Sequence, residues 1–247
     1  NKNKNIEYIV NRNQLSTAAN NFFNLIKKID VDKYNYFSFA DQDDIWLKNK
    51  LVSAVHCIDK GNYDMYSSNV ISFKDNKIKK IIKSQPAKKY DYLFEGGGPG
   101  NTIVLKKECF LNLQKKCLIA KNINDIWSHD WFIYAFVRSN KYRNIIDSNT
   151  YVYYRQHTEN VIGANKGLLN FYKRAKFVLS GKALNQSRLI ASILNLDKKN
   201  DIYNLLFRKK ISLFYIILNI SECRRKTIDR IKMILAIILL FFKINDD

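Results

Sequence analysis

An apolar segment that ends abruptly in carboxylates is the feature that most constrains the fold of this chain. Residues 34–40 are rich in aromatic side chains and alternate roughly between two faces, which predicts a buried strand. Three carboxylates follow directly, at Asp41, Asp43 and Asp44. Open α/β sheets bind ligands beyond the carboxyl ends of their strands, and carboxylate oxygens suit hard cations such as Mg²⁺ or Mn²⁺. The segment therefore predicts a site for a metal-bridged diphosphate at one edge of a sheet.

The same carboxylates also allow a simpler interpretation, in which they begin a helix. Apolar residues repeat at helical spacing between Leu47 and Ile58. Asp43 or Asp44 could cap that helix, because acidic side chains are favoured at a helix start and in its first turn. Both interpretations can hold together, so other parts of the chain must decide between them.

The first half of the chain alternates strand-like and helix-like patterns. We predict a short strand at residues 6–10 and a helix with an apolar face over residues 15–29. A helix that ends near Ile58 and a strand at residues 64–73, with a hairpin turn at residues 74–77, come after the acidic segment. This alternation is typical of an α/β sheet.

A glycine cluster at residues 96–100 precedes a further predicted strand at residues 101–105. The cluster lacks the GxGxxG and GxxxxGK[ST] patterns, which excludes a Rossmann or P-loop phosphate site. A flexible loop is the simplest interpretation, since glycine and proline are frequent in loops. Backbone without side chains also lets a ligand approach closely, so Gly98 and Gly100 are candidate binding residues.

From residue 166 onward the chain becomes helical and basic. Apolar runs at residues 211–220 and 233–242 are shorter than the roughly 20 residues that a membrane-spanning helix requires. They fit either buried core helices or amphipathic segments on a membrane surface. In the second case, five basic residues would lie among the headgroups: Arg224, Arg225, Lys226, Arg230 and Lys232. We therefore divide the chain into an α/β domain, residues 1–165, and a basic helical region, residues 166–247.

Charge and cysteine content narrow the possible partners and the compartment. The net charge of +20 predicts attraction to anionic surfaces. No helix-turn-helix, RNP or zinc-finger pattern is present, which argues against a nucleic-acid partner. Four scattered cysteines show neither metal-ligand spacing nor a disulfide framework. Reduced cysteines of this kind predict a cytoplasmic protein.

Three ordered segments resemble the family 2 glycosyltransferases, in particular the rhamnosyltransferase-like enzymes of bacterial O-antigen and capsule synthesis. The first is Ala-Asp-Gln-Asp-Asp-Ile-Trp at residues 40–46, with Asn-Lys-Leu at residues 49–51. The second is His-Asp-Trp-Phe at residues 129–132, and the third is Tyr-Tyr-Arg-Gln-His at residues 153–157, with residues 160–165 behind it. The resemblance spans residues 11–165. It implies a GT-A type α/β fold with a mixed sheet, followed here by a helical tail.

This resemblance implies roles for the residues that would bind the nucleotide-sugar donor. Asp43 is the principal ligand of Mn²⁺ or Mg²⁺, and Asp41 contacts the donor ribose or, through water, the metal. His157 completes metal or diphosphate binding, and Arg155 supports the leaving group. A purely structural His157 remains an alternative. The family's N-terminal strand and Asp-rich turn, which receive the nucleotide base, have no match here, so we expect an N-terminally truncated domain.

The second segment would supply the acceptor side of the site. The resemblance implies that Asp130, at a helix start, is the catalytic base for the acceptor hydroxyl. His129 is a rival base, and Asp130 could instead be a helix N-cap. Trp131 could stack on a sugar ring or belong to the core.

The family implies an inverting, metal-dependent sugar transfer to a saccharide acceptor. The subfamily favours dTDP-rhamnose as donor, and a lipid-linked acceptor would place the protein on the inner membrane face, against an anionic surface. The Gln-x-x-Arg-Trp motif of the processive relatives is absent, which argues against a polymer synthase. The alternative is a non-catalytic remnant or interaction module, because the base-binding segment has no match.

Overall fold

The computed structural model describes residues 17–74, 77–155 and 180–243, together with residues 6, 7 and 9. Its centre is a mixed sheet of β1 (Tyr36–Ser38), β2 (Ile45–Trp46), β3 (Met65–Lys74), β4 (Lys77–Ile81), β5 (Val104–Lys106) and β6 (Asn144–Arg155). Five strands follow the order β1-β5-β3-β6-β2, and β4 pairs with β3. The β3–β6 pair is parallel and the other pairs are antiparallel. The predicted mixed α/β sheet and the hairpin between β3 and β4 are confirmed.

The helices fall into two groups along the chain. The sheet is accompanied by α1 (Ala18–Lys28), α2 (Lys50–Gly61), α3 (Lys107–Ile119) and α4 (His129–Ser139). The C-terminal part contains α5 (Lys182–Ile193), α6 (Asn200–Leu206), α7 (Lys209–Leu218), α8 (Ile220–Cys223) and α9 (Thr227–Lys243). The predicted helical C-terminus is therefore confirmed. Within the described residues, no helix combines the length and apolar character needed to cross a bilayer.

Both faces of the sheet are covered, as the side chains of its central strand show. Met65 belongs to the main core together with Phe110 of α3 and Phe132 of α4. The next residue, Tyr66, belongs to a smaller cluster with Ile58 of α2. Successive strand residues face opposite sides of a sheet, so α2 covers one face while α3 and α4 cover the other. The C-terminal helices contribute to the main core as well.

The start of the chain matches the predictions only in part. The predicted helix is present as α1, which buries Phe23 and Ile26. Leu25, predicted to lie on its apolar face, is exposed. Ile6 and Ile9 lie outside regular secondary structure, so the predicted strand is not found at these residues.

The carboxylates after β1 do not cap a helix, and this prediction was wrong. α2 begins only at Lys50, with Asn49 at its N-cap position. Before it, Ile45 and Trp46 form β2 and pair with β6. The acidic turn therefore connects two strands of the sheet. The residues that would form the first turn of a helix capped by Asp43 or Asp44 pair with β6 instead.

A buried ion cluster joins the C-terminal helices to the sheet domain. Asp91 is 0% exposed, and its Oδ1 lies 2.9 Å from Nη1 of Arg138 on α4. Its Oδ2 lies 3.6 Å from Nε of Arg225, whose backbone N–H donates to Glu95 Oε1 at 2.8 Å. Burial raises the pKa of Asp91, and the two arginine charges oppose that rise. Arg225 is only 5% exposed, so its predicted contact with lipid headgroups was wrong.

We expect Asp91→Ala to destabilise the protein strongly, because it leaves two arginines buried without their shared carboxylate. Removing one partner from a buried ion pair costs about 3–5 kcal/mol of unfolding free energy. The matched control is Asp32→Ala, since Asp32 is 92% exposed and pairs with Lys107 at 2.9 Å on the surface. That variant should lose at most about 1 kcal/mol. Equal losses for both variants in urea unfolding would contradict this role of Asp91.

Candidate functional site

The tertiary structure brings the acidic turn and the predicted base together. Asp41, Asp43 and Asp44 lie between β1 and β2, whereas Asp130 lies in the first turn of α4. Burial raises the pKa of Asp41 to about 6, and the charges of Asp44, Asp43 and Asp130 contribute to that rise. Burial and the same four carboxylates raise the pKa of Tyr154 on β6 to about 12. The four carboxylates and Tyr154 therefore share one electrostatic environment.

Asp44 fixes the acidic turn to two other parts of the chain. Its Oδ1 accepts a hydrogen bond from the backbone N–H of Arg155 at 3.0 Å, and its Oδ2 accepts one from the side-chain amide of Asn101. Nε of Arg155 donates to the carbonyl oxygen of Asp43 at 3.2 Å. These bonds tie the turn to the end of β6 and to the residue after the glycine cluster. Asp44 thus has a structural role. Arg155 helps to orient the turn, in addition to the contact with the diphosphate that was predicted for it.

Lys50 is a second support of the turn, one for which the sequence pattern predicted no role. It is 1% exposed, and its Nζ donates to Ser38 Oγ at 3.0 Å. The same Nζ lies 3.4 Å from the ring centroid of Trp46. Burial lowers the pKa of Lys50 to about 7, whereas the contact with the Trp46 ring favours the charged form. Lys50 therefore holds the residues on both sides of the acidic turn. The sequence feature that could have indicated this role is a lysine at a position where a helix meets the core.

Asp130 is not the N-cap of α4, because Ser128 occupies that position. Asp130 Oδ1 accepts hydrogen bonds from Ser128 Oγ and from the backbone N–H of Trp131, the latter at 2.8 Å. The rival base, His129, stacks on Phe22 with ring centroids 4.1 Å apart. Its Nε2 is buried and has no hydrogen-bond partner among the described residues. Asp130 is therefore the better candidate, since it is oriented by two donors beside the acidic turn.

The predicted contacts from Trp131 and the glycines have explanations inside the protein. Trp131 is 6% exposed, and its indole N–H donates to the carbonyl oxygen of Tyr92 at 2.9 Å, so the core interpretation applies and sugar stacking is not supported. A Cβ at Gly98 would lie 3.1 Å from Thr102 Oγ1, and one at Gly100 would collide with the His129 ring. These contacts account for both glycines without a ligand. Their binding role stays a prediction.

The donor chemistry of the turn fits a hard cation, although the described side chains do not form a complete metal shell. Asp41 and Asp43 offer carboxylate oxygens. Burial first, and then the charges of the neighbouring carboxylates, raise the pKa of Asp41, and a bound cation would relieve the repulsion among these carboxylates. Across residues 17–74, 77–155 and 180–243, no three His, Cys, Asp or Glu side chains come together in a metal-binding arrangement. His157, the third predicted ligand, lies outside the described residues. Any cation here would need further oxygens, such as those of a diphosphate.

The raised pKa of Asp41 predicts a pH-dependent stability. The folded chain binds this proton more tightly than the unfolded chain, so the resulting stabilisation is full below about pH 4 and is lost as pH rises through about 6. We expect Asp41→Asn to remove this loss and to raise the unfolding free energy at pH 7 by roughly 1–2 kcal/mol, after allowance for solvent screening. Urea unfolding between pH 4 and 7, without metal, measures it. Asp125→Asn, at an exposed position, is the control, and parallel profiles for wild type and Asp41→Asn would contradict the prediction.

Comparison with known proteins identifies the family. No protein-family model matches the chain. The chain is 38% identical over 232 residues to the dTDP-rhamnosyl transferase RfbG of Shigella flexneri, covering 93% of this chain and 80% of RfbG. Two crystal structures of S. aureus TarS, one with UDP-GlcNAc, match at 13% identity with TM-scores of 0.39 and 0.40. They cover 86% and 87% of this chain but only 66% and 39% of the TarS chains, and so distant a similarity supports no argument about the site. On the similarity to RfbG, the chain belongs to the rhamnosyltransferase-like family of glycosyltransferases.

Proposed function

We propose that this glycosyltransferase moves rhamnose from dTDP-rhamnose to a saccharide acceptor during synthesis of a cell-surface polysaccharide. The name of its relative RfbG supports both the sugar and the nucleotide. The observation that carries the proposal is the position of Asp130, whose charge acts on Asp41 across the site. This shared electrostatic environment of the proposed base and the proposed donor carboxylates supports a transfer between two bound sugars.

The reaction we propose is a single displacement with inversion. The acceptor hydroxyl oxygen forms a bond to the anomeric carbon while the bond from that carbon to the diphosphate oxygen breaks, and the electron pair leaves with the diphosphate. Asp130 accepts the hydroxyl proton. Hydrogen bonds from Ser128 and from the Trp131 backbone hold one carboxylate oxygen, so the other is available to the acceptor.

Asp41 and Asp43 are our proposed ligands for Mn²⁺ or Mg²⁺. When bound, the cation would stabilise the negative charge that develops on the departing diphosphate. Asp41 must lose its proton to act as a ligand, and its raised pKa makes that ionisation incomplete below about pH 6. Lys50, through the Trp46 ring, and Arg155, through the carbonyl oxygen of Asp43, help to hold the turn in place. His157 remains a predicted contributor.

We expect Asp130→Asn to lower turnover by about 10²–10⁴ while donor affinity stays nearly unchanged, because the base acts on the acceptor. The assay measures donor turnover with dTDP-rhamnose first, then with other dTDP-, UDP- and GDP-sugars, and calorimetry measures donor affinity. Chelation with EDTA should abolish turnover and added Mn²⁺ should restore it. Asp125→Asn, an exposed acid near the start of α4, serves as the control.

Each part of the proposal has its own contradicting outcome in this assay. Donor affinity that falls as far as turnover in Asp130→Asn would make Asp130 a binding or structural residue. Turnover that is unchanged by EDTA would contradict the proposed dependence on a metal ion. No turnover with any donor would favour the alternative of a non-catalytic interaction module.

We also propose that the C-terminal helices attach the protein to the anionic inner membrane face, where a lipid-linked acceptor would be reached. One face of α9 carries exposed apolar side chains at helical spacing: Ile228, Ile231, Leu235, Ile238, Leu239 and Phe242. The neighbouring helix α7 exposes Ile211, Phe214 and Leu218. Although Arg225 is buried, Lys232 remains exposed on α9. Apolar side chains next to basic ones, on a chain of net charge +20, match an anionic lipid surface.

Flotation with liposomes tests this attachment. We expect the protein to bind vesicles that contain phosphatidylglycerol, and about 1 M salt to release it only in part, since salt screens the charges but not the inserted side chains. The double variant Leu235→Glu/Phe242→Glu should lose most of the binding. Ile119→Glu, an equally exposed apolar site on α3, should bind normally. Failure of the wild-type protein to bind these vesicles at low salt would contradict the proposal.

A further inference from the structure

A cleft of about 630 Å³ lies where α6 is followed by α7. Three of its lining residues are cationic, and a tyrosine and an isoleucine complete the lining: Arg208, Lys209, Lys210, Tyr203 and Ile211. A smaller cleft of about 360 Å³ shares Lys209 and Lys210 and adds Arg188 and Phe207. Among the described residues, no Asp or Glu lines either one. Together they form one positively charged surface, which we call the α6–α7 cleft.

Local hydrogen bonds and backbone geometry give this cleft a defined shape. The backbone N–H of Arg208 donates to Ser212 Oγ at 2.7 Å, which fixes the turn between the two helices. Nε of Arg188 donates to the carbonyl oxygen of Leu206 at 2.6 Å, so α5 is tied to the end of α6. Lys209 has a φ of 45°, a left-handed conformation that residues other than glycine adopt infrequently. The cations of the cleft are therefore carried by an ordered turn.

The positive charge of the cleft is not offset by a neighbouring carboxylate. Among the described residues, Arg208 and Lys209 form no ion pair, and Nη1 of Arg208 donates only to the neutral Asn204 Oδ1, at 3.4 Å. Asp201 is the acidic residue of α6, and its Oδ2 accepts a hydrogen bond from the hydroxyl of Tyr90 at 2.9 Å. Like charges that line one cleft attract an anion.

The cleft is continuous with an exposed apolar stripe on α7. Ile211 lines the cleft and is 48% exposed. Phe214 and Leu218, which are 60% and 63% exposed, follow it at the spacing of one helix face. An α-helix rises about 1.5 Å per residue, so the stripe extends roughly 10 Å away from the cleft. A positive cleft at one end of an apolar stripe matches an amphiphile with an anionic head better than a free anion.

We propose that the α6–α7 cleft binds the phosphate headgroup of one anionic membrane lipid, whose acyl chains lie along the exposed stripe of α7. Guanidinium and ammonium groups donate charge-assisted hydrogen bonds to phosphate oxygens, and the hydroxyl of Tyr203 is a further donor in the cleft wall. The inference rests on the proposed membrane attachment for the choice of a lipid as ligand. It goes further in assigning one lipid to a defined site, where the attachment requires only a general attraction to the surface.

Calorimetry with dihexanoyl phosphatidic acid, kept below its micelle concentration, tests the cleft without a membrane. We expect one lipid to bind per chain. Arg208→Met and Lys209→Met should each weaken binding by about 10-fold or more, because each removes a charge-assisted hydrogen bond. Lys198→Met and Lys199→Met remove the same charge from the exposed turn before α6 and should bind like wild type. Lys209→Arg keeps the charge and should retain binding, which separates loss of charge from loss of folding.

Inorganic phosphate, as a second probe, distinguishes a lipid from a free anion. It has no acyl chains to cover the α7 stripe, so we expect it to bind at least about 10-fold more weakly than the short-chain lipid. Equal affinities for the two probes would reject the lipid and assign the cleft to free phosphate. Lipid binding that is the same in wild type, Arg208→Met and Lys209→Met would overturn the site itself.

The double variant Leu235→Glu/Phe242→Glu separates the cleft from the proposed membrane attachment, because both positions lie on α9 and outside the cleft. We expect this variant to lose vesicle binding and yet to bind the short-chain lipid like wild type. A wild-type protein that binds the short-chain lipid but no vesicles would keep the site and reject the attachment. Vesicle binding without any binding of the short-chain lipid would keep the attachment and reject the site. None of these measurements depends on sugar transfer.

Discussion

Asp91 lies buried between Arg138 and Arg225, and the arrangement of the whole site depends on this contact. A carboxylate with no exposure to water needs its cations, and these come from α4 and from the segment before α9. Once Arg225 is held there, it binds Glu95 and the carbonyl oxygen of Gly96, which packs against the start of α4. The C-terminal helices therefore help to position the helix that carries the proposed base.

The acidic turn is costly on its own and becomes favourable when substrate charge is present. Burial and the neighbouring carboxylates raise the pKa of Asp41, while Lys50 contacts residues on both sides of the turn, at Ser38 Oγ and at the Trp46 ring. The charge of Asp130 also acts on Asp41, so the proposed base belongs to the same electrostatic environment. A cation that arrives with the donor would relieve the repulsion among these carboxylates.

Several single-residue predictions failed where a pattern had two possible causes. An aspartate before an apolar repeat predicts a helix cap, but Asp44 instead accepts hydrogen bonds from Asn101 and from the backbone of Arg155. A run of arginines beside an apolar helix predicts a membrane surface, yet Arg225 is inside the protein because Asp91 is there to neutralise it. Trp131 belongs to the core, since its N–H finds a buried carbonyl. In each case the partner lies far away in the sequence, where no local pattern could reveal it.

The sequence by itself determined the α/β class, the central strands, the helical C-terminus and the acidic turn at a strand end. These follow from periodicity and from local chemistry, which short windows of sequence contain. The family, too, was indicated by three short segments of the sequence. Only the tertiary structure decided that Asp130 shares an electrostatic environment with Asp41, that Lys50 and Asn101 support the turn, and that Arg225 is buried against Asp91. Such relations depend on which buried charges and amides find partners across the fold, because desolvation makes each unpaired group costly and the pairing is settled only when the chain is folded.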